Sequence, residues 1–164
     1  MNAPLVSASL RFDIQGLAQS VAHSHAKDRL PCSFNQASWD ILATYMQPFA
    51  LKAGQVLMQQ GTLDRTLYFV EEGSLSVHYQ DLKGRIRLAL VGPGSLVGEG
   101  SFFSHLPRRA TVQAGRDCKL WCLTPLRFQE LSVRHGAVAL ELSNGMAGVM
   151  AQRLFNRLKR VAVT

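Results

Sequence analysis

Leu67-Tyr68-Phe69-Val70-Glu71-Glu72-Gly73-Ser74-Leu75-Ser76-Val77-His78-Tyr79-Gln80-Asp81-Leu82-Lys83-Gly84-Arg85-Ile86-Arg87-Leu88-Ala89-Leu90-Val91-Gly92-Pro93-Gly94 is the stretch that decides the fold class. Short apolar runs, Leu67–Val70, Leu75–Tyr79 and Ile86–Val91, alternate with Gly73, with Lys83-Gly84 and with Gly92-Pro93-Gly94. Upstream, Gln55–Met58 ends at Gly61; downstream, Ala110–Ala114 and Lys119–Leu123 resume the pattern. Strands about ten residues apart with turns between them predict an antiparallel sandwich or barrel.

Helical patterns flank this region. Phe12, Ile14, Leu17 and Val21 are spaced like one face of a short helix, and Pro31 ends any such element. Trp39, Ile41, Leu42, Tyr45 and Met46 predict a helix over Ser33–Ala50, capped by Ser33 or Asn35 and closed by Pro48. Past the strands, Thr124 caps a helix with Pro125 at its first position, running to about Arg134, where His135-Gly136 breaks it. A longer helix is expected from about Ala137 to Arg160. The predicted fold is mainly β with flanking helices: an antiparallel β-roll of double-stranded β-helix or jelly-roll type. An N-terminal helix, a short cassette helix and two C-terminal helices accompany it. Residues 1–33 form a weakly patterned extension, 34–135 the roll with its flanking helices, and 136–164 a lid or dimerisation helix with a basic tail.

At 164 residues with 47% apolar and 18% charged side chains, the chain is a single globular domain by length and composition. No apolar run approaches the ~18 residues that span a membrane, and 1–5 lack the basic lead of a secretory signal. A cytoplasmic address is expected. Cys118 and Cys122 would share a strand face roughly 13 Å apart, beyond disulfide reach, and Cys32 stands alone. The net charge is +7, all of it from residues 108–164, with 10 basic and 3 acidic residues against 8 and 8 before them. No acidic residue follows Glu141, while Arg153, Arg157, Lys159 and Arg160 crowd the end. Such a half suits an anionic ligand, nucleic acid or an acidic protein surface; for the last four cations a solvated helix face is the plainer expectation.

The segment Gly98-Glu99-Gly100-Ser101-Phe102-Phe103-Ser104-His105-Leu106-Pro107-Arg108-Arg109 interrupts the strands. Gly98 and Gly100 permit close backbone approach, a short helix from near Glu99 would aim free N–H groups at an anion, and Arg108 can bond phosphate oxygens bidentately. A carboxylate only accepts hydrogen bonds, so Glu99 beside such a niche suits a ligand with hydroxyls next to its phosphate.

Gly98-Glu99, then Pro107-Arg108 and Ala110-Thr111, resemble the phosphate-binding cassette of cyclic-nucleotide-binding domains, found in catabolite activator proteins, protein kinase A regulatory subunits and cyclic-nucleotide-gated channels. Gln60-Gly61-Thr62, Leu67–Gly73 and Gly92–Gly98 resemble that family's glycine-punctuated strands, and the resemblance covers about residues 35–160. It implies that Glu99 takes a ribose 2′-hydroxyl and Arg108 the cyclic phosphate. The Gly100 and Ser101 amides complete the grip, and the long C-terminal helix closes over the base and relays the signal. It also implies cAMP as the ligand, no further cofactor, a cytoplasmic homodimer through the C-terminal helix, and a protein effector. Two departures stand out. Arg109 replaces a small or hydroxyl residue; it either reaches the ligand, points to solvent or marks a pocket for another anion, and it weakens the case for cGMP. Gly100 replaces a large apolar residue.

In the last helix Leu140, Asn144, Ala147, Ala151, Leu154, Leu158 and Val161 follow alternating four- and three-residue steps, a coiled-coil seam. The stripe either packs within one subunit or forms a parallel dimer. An enzyme is not expected: Glu99 stands where a GxSxG elbow needs glycine, no P-loop or GxGxxG occurs, and His23, His25, His78, His105 and His135 are too scattered to imply a metal site. The alternative function is a transcription regulator acting through DNA or a DNA-binding partner. Four tail cations alone give weak, salt-sensitive duplex binding without base readout, so specific DNA binding by this chain alone is not expected.

Overall fold

The computed structural model describes residues 11–161, with side chains as far as 157; the reading of 1–5 and the side chains of Leu158, Lys159, Arg160 and Val161 lie outside the described residues. Two antiparallel sheets of four strands face each other, ordered β1-β8-β3-β6 and β2-β7-β4-β5. The strands are β1 (Gln47–Leu51), β2 (Val56–Met58), β3 (Leu67–Glu72), β4 (Leu75–Gln80), β5 (Ile86–Val91), β6 (Leu96–Val97), β7 (Thr111–Ala114) and β8 (Cys118–Leu123). The helices are α1 (Ile14–His23), α2 (Gln36–Ala43), α3 (Glu99–Ser104), α4 (Pro125–Arg134) and α5 (Gly136–Val161). The mainly β fold with flanking helices is as the sequence predicts.

Alternation along two strands builds two cores. In β8, Cys118 and Leu120 point into the roll with Leu51, Met58, Val70, Leu75, Val91, Val112 and Ala114. Trp121 and Leu123 point the other way, into a second cluster with Leu67, Phe69 and the helices. That second cluster takes Ile14, Leu17 and Val21 from α1, Leu42 from α2, Leu131 from α4 and Leu142, Met146 and Val149 from α5. The N-terminal segment and the last helix therefore pack on the same sheet face.

The predicted helix over Ser33–Ala50 is shorter in the structure. Asn35 caps α2, its side chain accepting from Ser38 N, and the helix ends at Ala43. Residues 47–51 are instead strand β1, paired with β8 from Gln47↔Cys122 to Leu51↔Cys118. Pro48 lies on an edge strand, where a missing N–H breaks no ladder. Thr124 and Pro125 start α4 as predicted. Cys32, Cys118 and Cys122 are free thiols. No helix among the described residues is long and apolar enough to cross a membrane.

A strap between α1 and α2 fixes α5. Leu30 is 1% exposed, and its N–H donates to Gly94 O at 2.9 Å. A Cβ at Gly145 would stand 2.9 Å from Leu30 Cδ1 and from Pro31 O, and one at Gly148 2.9 Å from Pro31 Cγ. These two glycines let the helix lie directly on the strap. Ser33 N donates to Glu141 Oε1 at 2.8 Å.

The seam residues Leu140, Asn144, Ala147, Ala151 and Leu154 are all exposed, Leu140 at 62% and Leu154 at 59%. Packing of that stripe within one subunit is not found in the described residues. The inward face of α5 is a different one: Met146 and Val149 are buried, while Met150 is exposed.

Candidate anion and ribose site

The cassette opens at Gly98, whose φ of +94° is a left-handed conformation that a side chain rarely adopts. A Cβ there would also lie 2.6 Å from Arg108 Nη1 and 2.7 Å from Thr66 O. From Gly98 the chain turns into the six-residue helix α3, on which Ser101 and Phe102 are buried. Phe102 anchors the helix edge-to-face on Phe128 of α4, with ring centroids 5.4 Å apart. A Cβ at Gly100 would meet no heavy atom within 4 Å, so the side of α3 at that residue is open.

Arg108 returns from the loop after α3 and is 3% exposed. Its backbone is held by loop 60–62: Gly61 N donates to Arg108 O and Arg108 N to Thr62 O, both at 2.8 Å. The same loop reaches the end of β4 through Gln60, whose side-chain Oε1 accepts from Gln80 N at 3.0 Å and whose Nε2 donates to Gln80 O at 2.9 Å. The Arg108 guanidinium donates from Nη1 to Gly98 O at 3.2 Å and from Nη2 to Thr66 O at 2.5 Å and to the Asp64 carboxylate. Its Nε is buried with no hydrogen-bond partner among the described residues. Nearby Arg65 donates a hydrogen bond from Nη2 to Phe102 O at 2.9 Å, and its Nε is likewise buried and unpartnered among the described residues. Each of these two guanidinium groups thus keeps one donor without an acceptor among the described residues.

Asp64 was not anticipated from the sequence. Thr66 N and Oγ1 both donate to its Oδ1, at 3.0 and 2.9 Å, which aims the other oxygen at Arg108. Partial burial pushes this carboxyl up, but the hydrogen bonds from Arg108 and Thr66 outweigh that and hold it below the usual range.

Glu99 does not pair with Arg108. Its Oε1 accepts from Arg153 Nη1 of α5 at 2.6 Å, and its Oε2 has no hydrogen-bond partner among the described residues. Arg153 therefore leaves the solvated face expected for the tail: its side chain is 24% exposed and also bonds Asp28, Ser95 Oγ and Leu96 O. Arg157 is exposed. Arg109 is exposed, with no hydrogen-bond or ion-pair partner among the described residues. Of the residues named from the sequence, Gly98, Glu99, Ser101 and Arg108 line one cassette, with Gly100 on its open side and Arg109 turned outward.

A niche with a buried arginine, a left-handed glycine and a carboxylate beside a short helix can hold an anion that also carries a hydroxyl donor. The family model for the cyclic nucleotide-binding domain matches residues 48–135, more than half of the chain. The chain belongs to the cyclic nucleotide-binding domain family. Relatives of this cyclic nucleotide-binding domain include the cyclic AMP receptor protein of Thermus thermophilus, 33% identical over 70% of this chain and 52% of that protein. A second is the cAMP-dependent protein kinase regulatory subunit of Eremothecium gossypii, 27% identical over 74% of this chain and 25% of that one. The chain thus spans only about half and a quarter of these two relatives. Among solved structures, a cyclic nucleotide-binding domain from Methylobacillus flagellatus superposes with a TM-score of 0.80 at 20% identity, covering 91% of this chain and 82% of that one, a likeness of fold. The matched family model describes a binding domain.

Proposed function

We propose that this protein is a cyclic-nucleotide sensor. Arg108 binds the cyclic phosphate, Glu99 accepts from the ribose 2′-hydroxyl, and the Gly100 and Ser101 backbone amides cover the remaining phosphate oxygens, with Gly98 giving the chain room to approach. The observation that carries this reading is the Arg108 guanidinium, buried at 3% exposure with an unsatisfied Nε at the start of α3. The open side of α3 at Gly100 fits a ligand lying there. The ligand is cAMP in preference to cGMP: the Thermus relative is named for cyclic AMP, and Arg109 offers no hydroxyl to a guanine. Binding is signalled by ordering of α5, and the exposed seam from Leu140 to Leu154 joins two copies as a parallel dimer that presents the signal to a protein effector in the cytoplasm.

Action on DNA by this chain alone is the weaker reading. Of the four tail cations, Arg153 is engaged with two carboxylates, which leaves fewer charges for phosphates.

Calorimetric titration with cAMP and cGMP, beside a salt titration of duplex binding, tests the proposal. Tight cAMP binding, weaker cGMP binding and negligible duplex affinity support it. Loss of several kcal/mol of cAMP affinity in Arg108→Gln is expected from removal of a charge-assisted pair. Wild-type protein indifferent to both nucleotides defeats it.

A further inference from the structure

Arg153 joins three segments that are remote in sequence. Its Nε and Nη2 both donate to Asp28 Oδ2 on the strap, at 3.0 and 2.8 Å. Nη2 also reaches Leu96 O at 2.8 Å and Ser95 Oγ at 3.2 Å, just before the cassette. Nη1 reaches Glu99 Oε1 at 2.6 Å. Ser95 Oγ in turn donates to Asp28 O at 2.6 Å, so strap and cassette are also tied directly. One cation is shared by two carboxylates whose side chains are 23% and 16% exposed. The node keeps a net negative charge while one Glu99 oxygen is held in place and the other has no partner among the described residues. A neutral hydroxyl donor suits that second oxygen.

The strap decides where Arg153 stands. Pro31 lies against Gly145 and Gly148, and Ser33 N holds Glu141, so α5 is clamped over the 13 residues from 141 to 153, roughly 18 Å of helix. Beyond Val149 the residues Met150, Ala151, Leu154 and Phe155 are exposed, and the Asp28 pair ties the strap to the helix within this stretch.

We infer that Asp28 and Arg153 are positioning residues for ribose recognition: the strap aspartate sets the arginine over Glu99, and the arginine orients the carboxylate that selects the 2′-hydroxyl. This rests on the reading that Glu99 meets the ribose. It goes beyond it by making nucleotide selectivity depend on a strap residue 125 positions from Arg153 in the sequence.

Calorimetric titration with cAMP and with 2′-deoxy-cAMP is the test, on wild type, Asp28→Asn, Arg153→Gln and the double variant. Wild type should prefer the ribose form about tenfold or more, as expected for a hydrogen bond to a charged acceptor. Each single variant should lose most of that preference, through weaker binding of cAMP and little change for the deoxy analogue, and the double variant should lose no more. A general loosening of the fold would weaken both nucleotides alike and leave their ratio untouched. Hydrogen exchange on the unliganded proteins should show faster amides over residues 150–157 in both single variants. A wild-type ratio preserved in either folded variant overturns the positioning role while leaving the sensor reading intact. Wild type that binds neither nucleotide defeats the sensor reading, and wild type that binds both equally defeats the ribose role of Glu99; either result removes this inference too.

Discussion

Gly98 and Arg108 fit together only because residue 98 has no Cβ: that atom would lie 2.6 Å from the guanidinium Nη1 and 2.7 Å from the Thr66 carbonyl that the same guanidinium bonds. Gly98→Ala therefore combines a left-handed backbone penalty of about 1–2 kcal/mol with displacement of a buried cation. We expect a lower urea midpoint together with loss of most cAMP affinity, whereas an alanine at Gly100, where the space is open, should leave the midpoint nearly unchanged.

The Asp64 carboxylate pairs with the Arg108 guanidinium. Removing one partner of a buried pair is costly, but the Asp64 side chain is 44% exposed, so Asp64→Asn should cost only about 1–2 kcal/mol. On the proposed function, a bound phosphate would supply the missing charge. Saturating cAMP should therefore raise the melting temperature of the variant more than that of wild type, as thermal melts with and without nucleotide will show.

How far these features can be read from sequence depends on how local they are. Thr124 and Pro125 mark the start of α4 because a cap and a first-turn proline act within three residues. The β1 strand was hidden because Tyr45 and Met46 continue the helical spacing of Trp39 and Leu42, and Pro48 reads as a stop although an edge strand accepts it. Arg108 stood out through its glycine-rich neighbours, but its counter-ion is 44 residues away and Arg153 is 54 from Glu99. Nothing in a local window distinguishes Arg153 from exposed Arg157, so the tail reads as one solvated stripe until the fold brings Asp28 and Glu99 to it.

Gly145 offers a test of how tightly α5 lies on the strap. Helix propensity alone predicts a gain of about 1 kcal/mol for Gly145→Ala. The added methyl would meet buried Leu30 and the Pro31 carbonyl at 2.9 Å. We expect a net loss of stability in urea and faster exchange along α5; a stabilised variant would show that the strap yields.

Glu71 is 5% exposed beneath α1 and accepts from Trp121 Nε1 at 2.6 Å, with Lys119 Nζ at 3.9 Å. Burial pushes its carboxyl above the usual range, and neighbouring Glu72 and Asp13 add to the effect, while Trp121 and Lys119 oppose it without cancelling it. The folded form therefore holds its proton to higher pH than the unfolded chain does. Stability should fall as pH rises from the ordinary glutamate value of about 4.3 through the raised one. Glu71→Gln keeps an acceptor for Trp121 and should flatten that decline, measured as urea midpoints across the interval; parallel curves for the two proteins would refute it.

Ala147 and Leu154 lie on the exposed seam, away from both cores. Ala147→Lys and Leu154→Lys should convert the proposed dimer to monomer in sedimentation, with stability of the domain itself changed by no more than about 0.5 kcal/mol. Wild type that sediments as a monomer at every concentration would remove the dimer.

Gln60 gives the molecule a joint of another kind. Its amide stands in for a neighbouring strand at Gln80, while the next two residues clasp the main chain of Arg108 on both sides. The far end of the β4–β5 hairpin is thus tied by amide and main-chain hydrogen bonds to the residue that bears the buried guanidinium.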